Sequence, residues 1–354
     1  MKTILTSAPE IFTAIDLFCG CGAVTEGIKG AGFQVISALD SDPVACGTYR
    51  ANHPEVHLVE GDIREVQPET LIPDDCSKRS PDLMIVCAPC QPFSSQNRKK
   101  DGDARADLIL EAVKFIHALT PRVVFFENVP GLASARNTLL LEQLRSGLVK
   151  RGYRLSSPLR LDAADFMVPQ RRLRCVMFAS LGTEPFPPPI PVTPEKLRIT
   201  VQRSIGDLPG LRSGEQTEDT LHFARNHNPI ALERMKFIPK DGGSRFSLPP
   251  ELELNCHKGH KGHPDVYGRM RWDDVAPTLT TGCTDITRGR FMHPRDDRAI
   301  SLREAARLQT FPDHYSFAGS PKEIATQIGN AVPVNFAKSI ASAIHQALVS
   351  STLG

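Results

Sequence analysis

The sequence has almost no excess of either charge. Its 42 lysines and arginines face 40 aspartates and glutamates, for a formal net charge of +2. That total does not announce a nucleic-acid binder, so any basic surface must come from distribution rather than amount. Long apolar runs are also missing. None approaches the ~20 residues needed to cross a bilayer as a helix. The opening stretch MKTILTSAPEIFTAIDLF carries one lysine, and Thr6, Ser7, Pro9 and Glu10 break its apolar residues. It reads as the approach to a first strand, not as a signal peptide, and a cytoplasmic location is expected. Internal repeats are absent. Nine cysteines, an odd number, then suggest free thiols rather than a disulfide framework.

What is present is a rhythm. The 354 residues suit two domains, or one core with a large insertion. Short apolar segments at 11–18, 34–39, 56–60, 82–88, 122–128, 153–161 and 174–180 read as strands buried on both faces. Helical patterns fall between them at 43–52, 105–119 and 137–150, the last closed by Gly152. Strand alternating with helix predicts an α/β fold with a doubly wound, mainly parallel sheet. The rhythm stops at GTEPFPPPIPVTPEK, residues 182–196, where repeated prolines make a stiff connector. The sequence then stays irregular to about residue 298, which predicts a second, smaller domain. Ser301 and Glu304 form a capping box that opens another helix, and a last helix is expected over 333–348.

Basic residues gather at Arg98, Lys99 and Lys100, at Arg171, Arg172 and Arg174, at Lys258, Lys261, Arg269 and Arg271, and at Arg288, Arg290, Arg295 and Arg298. Each cluster alone reads more readily as a solvated face than as a phosphate contact. CHKGHKGH, with Cys256, His257, His260 and His263, has residue types that can hold zinc; a basic loop is the simpler reading, and no metal is expected.

Three strand ends point to an adenosine-containing cofactor. The first ends in DLFCGCG, where Gly20 and Gly22 allow a sharp turn and a close backbone approach. Asp40 lies 20 residues past Gly20, where a carboxylate can accept from ribose hydroxyls. Asp62, in GDIRE, can face an adenine amine. The nicotinamide-type G-x-G-x-x-G is not completed, because Thr25 occupies its third glycine position. Cys90 sits between Pro89 and Pro92 at the end of the fourth strand, beside that crevice. A structural turn, a redox pair with Cys87, and a nucleophile are all compatible with it. Glu127, in FFENVPG, ends the fifth strand after apolar residues, where desolvation favours a retained proton. Arg172 and Arg174 are fixed cations able to grip an anion or a carbonyl.

Together these segments resemble the DNA cytosine-5 methyltransferase family, of bacterial or phage type. The resemblance follows the family's motif order through DLFCGCG, Asp40, GDIRE, APCQPFSSQ, ENV, QRRLR, REAARLQTFPD and QIGNAVP. Only about 182–270 lacks its support. It implies a fold that binds S-adenosylmethionine, with a smaller target-recognition domain and double-stranded DNA between. The division expected is 1–180 with 319–354 for catalysis and cofactor, and 181–318 for recognition, including the proline-rich hinge. The resemblance gives Cys90 the role of nucleophile at cytosine C6, and Glu127 that of partner to N3. Arg172 and Arg174 would hold the base O2 and the backbone. Phe18, Gly20, Gly22, Asp40, Asp62 and Asn330 would bind the cofactor. Residues 94–107 would form a lid over DNA, and Gln91, Ser94 and Arg98 would touch it. Arg269, Arg271, Thr280, Thr281 and Arg288 would serve recognition. Ser41 departs from the family, which often places an aromatic there against the adenine. A monomer is expected; a cognate restriction endonuclease is a candidate partner whose existence the sequence does not decide. The alternatives are a tRNA methyltransferase of the same fold, whose Cys-Phe-Thr signature is absent here, and a non-catalytic DNA-binding relative, for which Cys90 and Glu127 would be superfluous.

Overall fold

The computed structural model describes residues 11–74, 76, 80–90, 93, 107–182, 186–259 and 262–352. The described chain runs β1 (Thr13–Leu17), α1 (Ala23–Lys29), β2 (Gln34–Asp40), α2 (Pro43–Asn52), β3 (His57–Glu60), β4 (Leu83–Val86), α3 (Leu108–Leu119), β5 (Val123–Asn128) and α4 (Thr138–Val149). Three strands, β6 (Tyr153–Leu155), β7 (Leu159–Asp162) and β8 (Leu173–Leu181), follow. Then come α5 (Val201–Ile205), α6 (Pro229–Phe237), α7 (Leu302–Leu308), α8 (Pro321–Asn330) and α9 (Val334–Thr352).

The strands form one sheet in the order β3-β2-β1-β4-β5-β8-β6, with β7 also on β8. β1 to β5 run parallel, and β8 joins β5 antiparallel. The expected mainly parallel, doubly wound sheet is therefore present. Every residue of β1, β4 and β5 is buried, as strands covered by helices on both faces require. One apolar core lies under α1 and α9, with Phe336, Ile340 and Ile344; the other lies under α3 and α4, with Phe115, Leu144 and Leu148. Gly27 lets α1 and α9 touch, since a Cβ there would sit 2.5 Å from the Val334 carbonyl. β2 and β4 flank β1, so the strand order reverses there, and the ends of β1 and β4 open a crevice.

Some expectations change in detail. The strand expected over 153–161 is two strands lying end to end along β8. Pro158, which has no N–H to donate, falls in the break. The strand expected to reach residue 88 ends at Val86, so Cys87 lies outside it and is only half-buried. The capping box at Ser301 forms as read, and a second at Ser320 and Glu323 opens α8. Between 201 and 299 regular structure is sparse. Met235, Ile238, Tyr267, Ile286 and Met292 make a small core there, whereas Val201, Ile205, Met270 and Leu279 pack with α7 and α8.

Candidate active site

The turn after β1 is built on left-handed backbone. Gly20 has φ +53° and Gly22 φ +89°, and Phe18 adopts φ +60° just before them. The Cys19 N–H donates to the Leu39 carbonyl at 3.1 Å, which ties the turn to β2. At the end of β2, Asp40 accepts from the Gly20 N–H at 2.8 Å and the Asp42 N–H at 2.9 Å, one on each oxygen. Each oxygen keeps a lone pair for a ligand. Burial pushes the Asp40 carboxyl up, opposed by these two donors. Asp62 is held by the Arg64 guanidinium and backbone, which bring its carboxyl down to about 2.

Beneath this turn, Asp16 of β1 is fully buried. Its Oδ2 accepts from the Thr25 hydroxyl at 2.8 Å, and burial raises its carboxyl from 3.8 to about 7. A carboxyl raised on folding stabilises below its unfolded value and loses that contribution as pH rises through the folded one. Asp16→Asn has no proton to lose. Its unfolding free energy relative to wild type should therefore rise by a few kcal/mol between about pH 4 and 7, then level off. Denaturant titrations at pH 5, 7 and 9 check this; a flat difference would show that Asp16 is ionised throughout.

Past β4 the chain leaves the sheet as Cys87-Ala88-Pro89-Cys90. Two contacts fix it. The Asn128 amide donates to the Ala88 carbonyl at 3.0 Å, and the Phe93 N–H donates to the Cys90 carbonyl at 3.0 Å. Gly131 makes room for Phe93, because a Cβ there would lie 1.9 Å from the Phe93 carbonyl oxygen. Cys90 stays half-exposed on the cavity. Burial and the charge of Glu127 push its thiol up, opposed by Arg174 and Arg172. The thiol is thus protonated at rest near neutral pH.

Glu127, at the end of β5, is 6% exposed. The burial expected for it is present, but Arg174 of β8 accompanies it, with Nε 2.6 Å from Oε1 in an ion pair whose N–H is not aimed along that line. Arg172 does something different. It is 2% exposed, and its guanidinium donates to the carbonyls of Leu279 at 2.8 Å and Gly329 at 2.9 Å. It fastens the 279–281 segment and the end of α8 to the start of β8.

One cavity of about 380 Å³ joins these parts. It runs from Phe18, Gly20, Asp40 and Asp62 past Asn330 to Cys90, Glu127 and Arg174. Its volume lies in the range of small-molecule sites. Ile63, and Glu323, Thr326 and Gln327 of α8, also line it and were not singled out from sequence. The S-x-x-E at Ser320 was the available signal for α8.

Arg269 requires a correction. It is fully buried and donates to the carbonyls of Met235, Ile238, His293 and Asp296 and to the Asp297 carboxylate. With its donors taken and no exposed surface, it cannot read a base. Arg298 is buried likewise, on Glu304 and Asp296. Arg271, Thr281 and Arg288 are exposed, and Thr280 is half-buried against Gly329. Gln91, Ser94 and Arg98, with the segment up to residue 106, lie outside the described residues, as does His260. No group of three or more metal-ligating side chains occurs among the described residues, and no described helix is long and apolar enough to cross a membrane.

The pattern of the C-5 cytosine-specific DNA methylase family matches residues 12–346. The chain belongs to that family. Type II methylase M.HgiDII of Herpetosiphon aurantiacus is 38% identical over 346 residues, covering 94% of this chain and 95% of that protein. Type II methyltransferase M1.HphI of Haemophilus parahaemolyticus is 32% identical, covering 94% and 86%. Among solved structures, S. pombe Dnmt2 superposes with a TM-score of 0.60 at 19% identity over 95% of this chain and 99% of that one. An E. coli prophage protein described as a DNA modification methyltransferase reaches 0.74 at 22%, over 96% and 99%. At these identities the two structures speak for the fold. The family makes the protein a DNA cytosine-5 methyltransferase.

Proposed function

We propose that the protein transfers a methyl group from S-adenosylmethionine to C5 of a flipped-out cytosine in a specific double-stranded DNA sequence, through a covalent Cys90–C6 adduct. The observation that carries this reading is the single cavity joining an adenosine-type turn to a thiol, a carboxylate and an arginine. Those features fit the donor. Asp40 has free lone pairs for a ribose diol, and Asp62 is a charged acceptor for the adenine amine. Phe18 and Ile63 supply apolar surface where Ser41, exposed, cannot stack. Asn330 closes the cavity from α8. When bound, S-adenosylmethionine supplies an electrophilic methyl group on a sulfonium.

Cytosine C5 is too weak a nucleophile to take that methyl unaided. Cys90 loses its proton to solvent, and its sulfur adds to C6. The C5=C6 electron pair then makes C5 an enamine carbon, with charge pushed towards N3 and O2. Glu127, having taken up a proton from solvent, donates it to N3 and takes it back when the ring is restored, while Arg174 meets O2 and holds Glu127 in place. Once C5 carries the methyl, its proton leaves to a base. The restored double bond then expels Cys90 as thiolate. A stacked base cannot reach Cys90, so it must leave the helix, at a cost of a few kcal/mol. Arg172 supports the floor of this site. Arg271, Thr280, Thr281 and Arg288 are the DNA-facing candidates on 181–318, with Gln91, Ser94 and Arg98 on the catalytic side. The oligomeric state proposed is a monomer. The Type II relatives support a restriction–modification role beside a cognate endonuclease.

Labelled methyl transfer from S-adenosylmethionine to unmethylated genomic DNA, with total tRNA in parallel, tests the reading. Label in DNA at one sequence context supports it. Label confined to tRNA moves the substrate to RNA, and label in neither removes the activity. Asp40→Ala should weaken cofactor binding at least about tenfold, through a lost ligand contact and a freed Gly20 N–H, with DNA affinity nearly constant. Calorimetry with S-adenosylhomocysteine checks this; equal losses for both ligands would undo the assignment.

A further inference from the structure

The glycine turn faces the cavity on one side, and something must hold its other side. The carbonyls of Cys21 and Gly22 meet two buried side chains, Tyr315 and His53. The Tyr315 hydroxyl donates to the Cys21 carbonyl at 2.5 Å. His53 Nε2 lies 3.2 Å from the Gly22 carbonyl and 3.1 Å from the Tyr315 oxygen. His53 is 1% exposed and Tyr315 2%. They press so closely on Gly22 that a Cβ there would fall 2.7 Å from both side chains.

The chemistry permits one arrangement of protons. Tyr315 has a single hydroxyl hydrogen, and the Cys21 carbonyl can only accept it. His53 Nε2 therefore cannot accept from Tyr315. It must carry the hydrogen and share it between the Gly22 carbonyl and the tyrosine oxygen. Nδ1 is then the bare nitrogen, and Lys29 Nζ faces it at 3.4 Å while pairing with Glu55 at 2.5 Å. Burial, reinforced by Lys29, lowers the His53 imidazole to about 4, which keeps it neutral as this arrangement requires.

The same segment also reaches α2 and α8. The Ser316 carbonyl accepts from Asn52, and its N–H returns a bond to Asn52. The Ala318 N–H donates to Thr48, and the Ala318 carbonyl accepts from Gln327, which lines the cavity. Residues 315–318 therefore strap the glycine turn, α2 and α8 together.

We propose that His53 and Tyr315 are positioning residues for S-adenosylmethionine: they buttress the two carbonyls of the glycine turn and so set the shape of the cofactor end of the cavity. This rests on the reading of that cavity as the cofactor site. Neither side chain lines the cavity, so both act through the turn.

Calorimetry with S-adenosylhomocysteine, alongside steady-state kinetics and melting temperature, tests it on the full chain. Tyr315→Phe and His53→Leu should each weaken binding and raise the KM for the donor about tenfold, while kcat and the KM for DNA stay within about twofold. His53→Gln keeps an N–H near Gly22 and should recover most of the affinity. Should Tyr315→Phe not fold, the pair His53→Leu and His53→Gln carries the test alone, read as the affinity that the glutamine recovers over the leucine. Variants that melt lower but bind as wild type would overturn the proposal, as would equal losses in donor and DNA terms. Wild-type protein that does not bind S-adenosylhomocysteine would overturn the cofactor reading itself and this inference with it.

Discussion

Replacing Cys90 by serine should lower methyl transfer by at least about 10³-fold while leaving the affinity for S-adenosylhomocysteine within about twofold. The reasoning starts from the thiol. Cys90 is half-exposed on the cavity, and its backbone is fixed by Asn128 and Phe93. A serine fits the same space and keeps the loop. An alkoxide is far less accessible than a thiolate near neutral pH, and Glu127, the carboxylate that shares the cavity with Cys90, is already engaged with Arg174. Gly20, Asp40 and Asp62 are untouched, so the cofactor end should bind as before. Single-turnover kinetics and calorimetry on the same preparation check the two halves. Turnover preserved in the serine variant would place the nucleophile elsewhere.

The second large effect concerns stability. Glu304→Ala should destabilise the fold by roughly 3–5 kcal/mol. Arg298 is fully buried and donates to both oxygens of Glu304, at 2.7 and 2.8 Å, and to Asp296 at 3.0 Å. Burial alone would push the Glu304 carboxyl up, but the hydrogen bonds and charge of Arg298 hold it below the usual range. A depressed carboxyl stabilises above its unfolded pKa, and that contribution fades as pH falls through the folded one. The gap between wild type and variant should therefore close in acid. Removing Glu304 also breaks the capping box with Ser301 at the start of α7. Urea midpoints at pH 7 and in acid measure both statements. A loss below about 1 kcal/mol at pH 7 would mean that water or another acceptor reaches Arg298.

The placement of Cys90 and Glu127 on one cavity was legible because both follow strand ends. Leu83–Val86 and Val123–Asn128 are wholly apolar until the residues that matter, and the rule that ligands lie at the carboxyl ends of parallel strands puts Cys90 and Glu127 side by side. What periodicity does not carry is direction. The antiparallel edge around β8 has the same apolar run as a parallel strand would. Basic residues were harder still. Arg269 and Arg271 are two apart in one short stretch, yet Arg269 is buried under carbonyls of residues 235, 238, 293 and 296, and Arg271 is exposed. Those carbonyls come from distant parts of the chain, and no local pattern marks them. The same holds for Arg172, whose partners lie at 279 and 329, and for His53 and Tyr315.

The central claim is that Cys90 bonds to C6 of the target base. A DNA duplex with 5-fluorocytosine at the target position tests it most directly. Methyl transfer to such a base leaves fluorine at C5 where a proton would have to depart, so Cys90 cannot be expelled. Wild-type protein with S-adenosylmethionine should then give a denaturant-stable protein–DNA adduct whose cross-linked peptide maps to Cys90. An adduct at another residue, or methylated DNA released without any adduct, would contradict the account.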